Sequence, residues 1–187
     1  DDDYAKLNEG NELGKSEMWV VLDAAPDAAI IYGLSKDVDK ETFRSAIRNG
    51  DLGKFLNRVN IKKGDHVCVP SGTLHAILEG ALIAEIQQNS NTTYRVFDWN
   101  RLGADGNPRA LHIDNALDVI NFEQVSSLLP EPESKRSGEK WSCEVLCKNK
   151  YFITERYFLE EGAVIDGLCD GSTMEIWGLI YGSVAIN

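Results

Sequence analysis

The chain has 187 residues, 43% of them hydrophobic, which suits one large domain, or one domain with part of another, around a sizeable core. The formal net charge of −11 argues against nucleic acid and anionic lipid as partners, yet it permits a small anionic ligand held by a few local cations. No apolar run is long enough to span a membrane, and the acidic start DDDYAKLNEG has no apolar signal core, so the protein is expected in the cytoplasm.

In chain order, MWVVLDA (18–24) and AAIIYGL (28–34) read as strands, rich in β-branched and aromatic residues and separated by an Ala25–Pro26–Asp27 turn. A helix follows, capped by Asp39, with Phe43, Ala46 and Ile47 on one face and Gly50 as its stop. KFLNRVNI (54–61) is ambiguous between helix and strand, whereas 62–77 reads as turn, strand, turn, strand. ALIAEIQQ (81–88) and TTYRVFDW (92–99) are two further strands, 101–110 is a loop, and 114–122 is a short helix capped by Asp114. The charged, proline-bearing stretch 130–140 reads as a linker. Beyond it SCEVLC, YFITERYFL, AVIDGLC and MEIWGLIYGSVAIN read as strands, the last cut in mid-sheet. Many short strands with glycine-rich turns predict a mainly β jelly roll with short helical insertions.

Cys68, Cys143, Cys147 and Cys169 show no CxxC spacing and read as reduced thiols packed as small apolar residues. Trp19, Phe97 and Trp99 read as core. His66, just after the Gly64 turn, reads as solvent-facing, and His112 as packed or hydrogen-bonded near a helix start.

His75 stands apart. Its setting is G-x5-P-x-G-x2-H, from Gly64 through Pro70 and Gly72. Gly64 permits a tight turn into a strand, and Pro70 with Gly72 sets a second turn that aims the next strand inward. An imidazole held this way can bind a metal. This spacing resembles the second motif of the cupin superfamily, in which a glutamate on a neighbouring strand supplies another ligand. Glu17, at the head of a strand in GKSEMWVVL, is placed for that part. Both side chains must reach one zinc at about 2.0–2.2 Å, so they are expected within about 4 Å of each other.

Four ordered segments narrow the resemblance: GKSEMW, VPSGTLHAI, EIQQNSNTTYRVFDWNR and LHIDNALDVI. Together they are similar to type I mannose-6-phosphate isomerase (phosphomannose isomerase), in its short bacterial form. The resemblance is dense over 1–125 and weaker over 141–187. It implies a catalytic cupin jelly-roll barrel at 1–129, a linker at 130–140 and part of a second cupin-like β domain at 141–187, with both chain ends missing. It also implies a zinc-dependent isomerase that interconverts mannose 6-phosphate and fructose 6-phosphate, with zinc as cofactor and a small phosphorylated sugar as partner. Glu17 and His75 match two zinc ligands. The other two, a Gln-x-His pair, are expected upstream of Asp1. Lys15 and Arg95 match the family's active-site lysine and arginine, and Glu85 an acidic pocket residue suited to shuttling a proton if burial raises its pKa. Asn91 stands where the family often carries aspartate. Local alternatives also exist: Lys15 as a surface charge, Arg95 paired with Asp98, and Glu85 as a core carboxylate paired with Arg95. At the level of function, the alternatives are a non-catalytic sugar-binding cupin module and a metal-dependent cupin oxygenase.

Overall fold

Trp19 and Val21 point to one side of the strand Glu17–Ala24 (β1), and Met18 and Val20 to the other, so both of its faces must be covered. A computed structural model describes every residue except 11, 100, 126–128, 167–169 and 186–187. In it β1 is the centre of an antiparallel sheet, between β4 (His66–Val69) and β6 (Ala81–Gln87). A second antiparallel sheet is centred on β2 (Ala29–Leu34), flanked by β3 (Leu56–Asn60) and β5 (His75–Ile77). The two sheets share one core, where Trp19, Val21, Val67 and Val69 meet Ile30 and Val59. The mainly β reading therefore stands.

Helices close one side. α2 (Lys40–Asn49) begins where Asp39 accepts from the Thr42 N–H, and it ends at Gly50 in the left-handed conformation, both as expected. Its buried Phe43 and Ala46 pack with Leu117 of α3 (Ile113–Val119). His112, not Asp114, occupies the cap position of α3; Asp114 lies in the helix's first turn, where its carboxylate pairs with Arg44. At the start, Asp1 caps a helix unforeseen from the sequence, α1 (Asp2–Asn8), whose first turn carries Asp2 and Asp3 against the positive end of the helix dipole.

The outer face of β1 and β4 carries a third sheet, of order β7 (Ser134–Gly138), β8 (Trp141–Lys148) and β9 (Ile153–Leu159). Met18, Val20 and Cys68 meet Leu146, Cys147 and Phe152 there. Three expectations are corrected by this sheet. Part of the stretch read as a linker is the strand β7; it is exposed throughout as an edge strand, which is why it lacks large apolar residues. His66 shares its face with Cys68 and is covered by the third sheet, leaving it 5% exposed instead of solvent-facing. Its Nε2 has no hydrogen-bond partner, and burial, helped by the Arg156 charge, pushes the imidazole pKa down so that the ring stays neutral. Third, Cys68 and Cys147 are joined as a disulfide, and Cys143 alone among the described cysteines is a buried free thiol; Cys169 lies outside the described residues.

Two segments expected as strands are not. Over 92–99 the backbone of Arg95 bonds to His112 instead of to a neighbouring strand: the Arg95 carbonyl accepts from the His112 N–H at 2.7 Å, and the Arg95 N–H donates to His112 Nδ1 at 3.3 Å. This also bears out His112 as a hydrogen-bonded residue at a helix start. Over the described part of 163–185 no strand forms, and Met174, Ile176 and Tyr181 are largely exposed. Among the described residues no helix is long and apolar enough to cross a membrane.

Candidate active site

Glu17 opens β1 and His75 opens β5, so they belong to different sheets and meet where the two sheets face each other. The turn before His75 is closed by the Thr73 N–H donating to the Pro70 carbonyl at 3.0 Å, with Gly72 at φ 91°. Val119 O would lie 2.6 Å from a Cβ at Gly72, so no larger residue fits this turn without movement of α3. The Thr73 carbonyl lies 2.7 Å from His75 Nδ1. A carbonyl only accepts, so Nδ1 carries the proton and Nε2 is the ring atom left to face the cleft. That atom is 3.6 Å from Glu17 Oε1, inside the separation a shared ion requires.

Glu17 is 3% exposed and well served. The Trp19 indole N–H donates to Oε2 at 2.9 Å, and the Lys15 ammonium contacts Oε1. Burial pushes the Glu17 carboxyl up in pKa, but the His75 and Lys15 contacts outweigh it and hold the pKa at about 2. His75 responds in the opposite sense: burial lowers its pKa and the Glu17 carboxylate more than restores it, so the net direction is up. Lys15 also reaches Glu85 Oε1 at 3.3 Å, so one ammonium is shared by two carboxylates. Glu85 faces Trp19 across the β1–β6 ladder and is 34% exposed, so the burial on which its proton-shuttle role depended is absent.

Lys15, Glu17, His75, Glu85 and Arg95 all line one cleft of about 400 Å³, a size that accommodates a small ligand. Arg95 is half-buried there and, among the described residues, no carboxylate pairs with its guanidinium. The pairing considered for it fails because Asp98 is already taken. Asp98, 6% exposed, accepts from Arg109 Nε at 2.6 Å and from Arg101 Nη2 at 2.7 Å. Nor does Glu85 pair with Arg95; its partner is Lys15.

The donors fit a metal in part. A carboxylate oxygen and an imidazole nitrogen are zinc-type ligands, and the hydrogen bond from the imidazole's other nitrogen to a carbonyl is what orients such a ligand. Yet among the described residues no group of three or more His, Cys, Asp or Glu side chains is placed to share an ion.

No protein-family model matches the chain. Curated proteins do. Bacillus subtilis GmuF, described as a probable mannose-6-phosphate isomerase, is 47% identical over 138 residues, 74% of this chain and 43% of that protein. Bacillus subtilis mannose-6-phosphate isomerase ManA is 44% identical over 124 residues, 66% of this chain and 39% of that protein. The crystal structure of the mannose-6-phosphate isomerase from Bacillus subtilis superposes with a TM-score of 0.79 at 38% identity, over 86% of this chain and half of that one. The chain is homologous to the mannose-6-phosphate isomerases. It spans about two fifths of the length of these curated relatives.

Sequence reasoning overlooked one part of the cleft of this isomerase relative. Phe97 and Trp99 were expected in the core, yet they are 46% and 47% exposed and line the cleft with Arg101 and Arg109. The segment 92–99 joins no sheet, so strand alternation does not decide which of its side chains turn inward. The run DWNRLGADGNPR held a partial signal, since Asp98 is followed by two arginines, Arg101 and Arg109, on either side of a Gly/Pro loop.

Proposed function

We propose that the whole protein is a zinc-dependent isomerase interconverting mannose 6-phosphate and fructose 6-phosphate, acting in the cytoplasm, with residues 1–129 carrying the catalytic cupin domain and 141–187 part of a second β domain. The observation that carries this reading is the convergence, in one cleft, of Lys15, Glu17, His75, Glu85 and Arg95, with Glu17 and His75 3.6 Å apart. Glu17 and His75 are the donors that fit zinc, which when bound polarises the sugar carbonyl, and the remaining ligands would come from chain outside these residues.

The chain's own residues account for the rest. The reaction moves a proton between C2 and C1 and passes through an enediol, so negative charge develops beside the carbonyl. Arg95, with no carboxylate partner among the described residues, is available to hold that charge or the phosphate. Lys15, shared between Glu17 and Glu85, helps hold the Glu17 carboxyl low in pKa and adds positive charge on the same wall. Glu85 lacks the burial expected of a proton shuttle and is the candidate for the proton transfer on its position in the cleft alone.

The test uses the full-length protein in a coupled assay on mannose 6-phosphate, with zinc measured in parallel. Arg95→Ala is expected to lower kcat about 10²–10³-fold while leaving zinc content unchanged, because the arginine acts on substrate charge. Equal loss of zinc and turnover would make Arg95 structural. Absence of turnover in the wild type would favour the sugar-binding module.

A further inference from the structure

Trp99 is not explained by the chemistry above. Its backbone sits at φ 49°, in the left-handed region that side-chain-bearing residues avoid. Such strain persists where the surroundings impose it. Here they do. The Arg101 N–H donates to the Asp98 carbonyl at 2.9 Å, closing a turn with Trp99 inside it. The buried Asp98 carboxylate then clamps both Arg101 and Arg109, so the turn is tied to the chain eleven residues beyond Asp98. Burial does not repay this strain, since the indole remains 47% exposed.

The clamp holds an aromatic surface in place. The Phe97 ring meets Trp99 edge-on at 5.4 Å, and the Arg101 guanidinium lies 5.3 Å from the indole centre. Phe97 and Trp99 line the same cleft as Glu17, His75 and Arg95. A rigid, exposed indole beside ligand-binding polar groups suits a flat molecule with an apolar face and polar edges. A hexose ring is such a molecule: its C–H face meets the π surface and its hydroxyls stay at the rim. A cleft of about 400 Å³ admits one hexose phosphate, whereas the chain's charge of −11 disfavours a nucleobase on a polyanionic strand.

We propose that Trp99, fixed by the Asp98 clamp and buttressed by Phe97, is the platform on which the hexose ring stacks at the cleft. The identity of the sugar rests on the isomerase reading.

The experiment titrates the full-length, metal-loaded protein with mannose 6-phosphate by calorimetry, in the wild type, Trp99→Gly and Trp99→Phe, with melting temperature and zinc content alongside. Glycine takes the left-handed backbone without strain, so Trp99→Gly should weaken sugar-phosphate binding about tenfold without lowering the melting temperature or the zinc content. Trp99→Phe should keep most of the affinity. The platform is overturned if Trp99→Gly leaves affinity unchanged, if affinity and melting temperature fall together, or if Trp99→Phe loses as much as Trp99→Gly. Turnover separates the two readings: a wild type that binds the sugar phosphate without converting it fails as an isomerase and still tests the platform, and one that does not bind it at all overturns both.

Discussion

At the scale of single residues, Asp98 shows how one carboxylate organises a site without touching its chemistry. Two guanidiniums converge on it, Arg109 foremost, and together they overcome burial and hold its carboxyl well below the usual carboxylate range. A depressed carboxylate pKa stabilises the folded protein above the ordinary value near 3.9, and that contribution is lost as the pH falls toward the folded value. Thermal melts of wild type and Asp98→Asn are therefore expected to differ at pH 7, and to converge as the pH is lowered from about 4 toward 2. A difference that stays constant over that range would mean that the Asp98–arginine contacts are energetically idle. Lys15, Glu17 and His75 were legible from motif spacing because each lies on or beside a strand whose neighbours fix its direction. Phe97 and Trp99 were not, because a segment outside the ladders has no periodicity to read.

The element that matters most for the site is the turn Pro70–Thr73. It converts β4, packed in the first sheet, into β5, packed in the second, and so delivers His75 across the core to Glu17. Gly72 carries two constraints at once, a left-handed φ of 91° and the Val119 carbonyl 2.6 Å from a built Cβ. Gly50, at φ 74°, carries only the first, since nothing lies within 4 Å of its Cβ position. Gly50→Ala is thus expected to cost about 1–2 kcal/mol for the backbone alone, and Gly72→Ala more than that, with weaker zinc retention because His75 moves with the turn. Urea unfolding of both variants measures the two costs; equal costs would show that α3 yields to the added methyl without consequence. The turn was legible in G-x5-P-x-G-x2-H. That α3 presses on it was not, because Val119 lies 47 positions further along the chain.

At the scale of the molecule, the third sheet is attached by an apolar contact, a covalent bond and polar ties. Arg156 donates to the Gly64 carbonyl at 2.5 Å and also holds Glu144, while Tyr151 and Lys150 both donate to Asp2 of α1. The Cys68–Cys147 bond closes a separation of 79 residues. A loop of that length removes unfolded-state entropy worth about 4.5 kcal/mol in the chain-entropy picture. Cys147→Ser should accordingly lower the melting temperature of the oxidised protein, and the gap should disappear when dithiothreitol reduces the wild type. An unchanged gap under reduction would assign the loss to packing of the Cys147 side chain instead. Under reducing conditions the two cysteines would remain neighbours as thiols in the same contact.

By itself the sequence determined the mainly β class, the strands read at 18–24 and 28–34 (found at 17–24 and 29–34), helix 40–49 with both of its caps, and the tight turn that precedes His75. Each of these is set by short-range causes: side-chain alternation, a capping aspartate, a glycine that accepts a positive φ. Only the tertiary structure decided that 134–138 is a strand, that His66 is buried, that Cys68 meets Cys147, that Asp98 serves Arg101 and Arg109 and not Arg95, and that Trp99 stands in the cleft. Each of those depends on which surface covers which or on which of several partners a charge takes. Such choices are settled by competition among residues distant in the chain, and local pattern does not record the outcome.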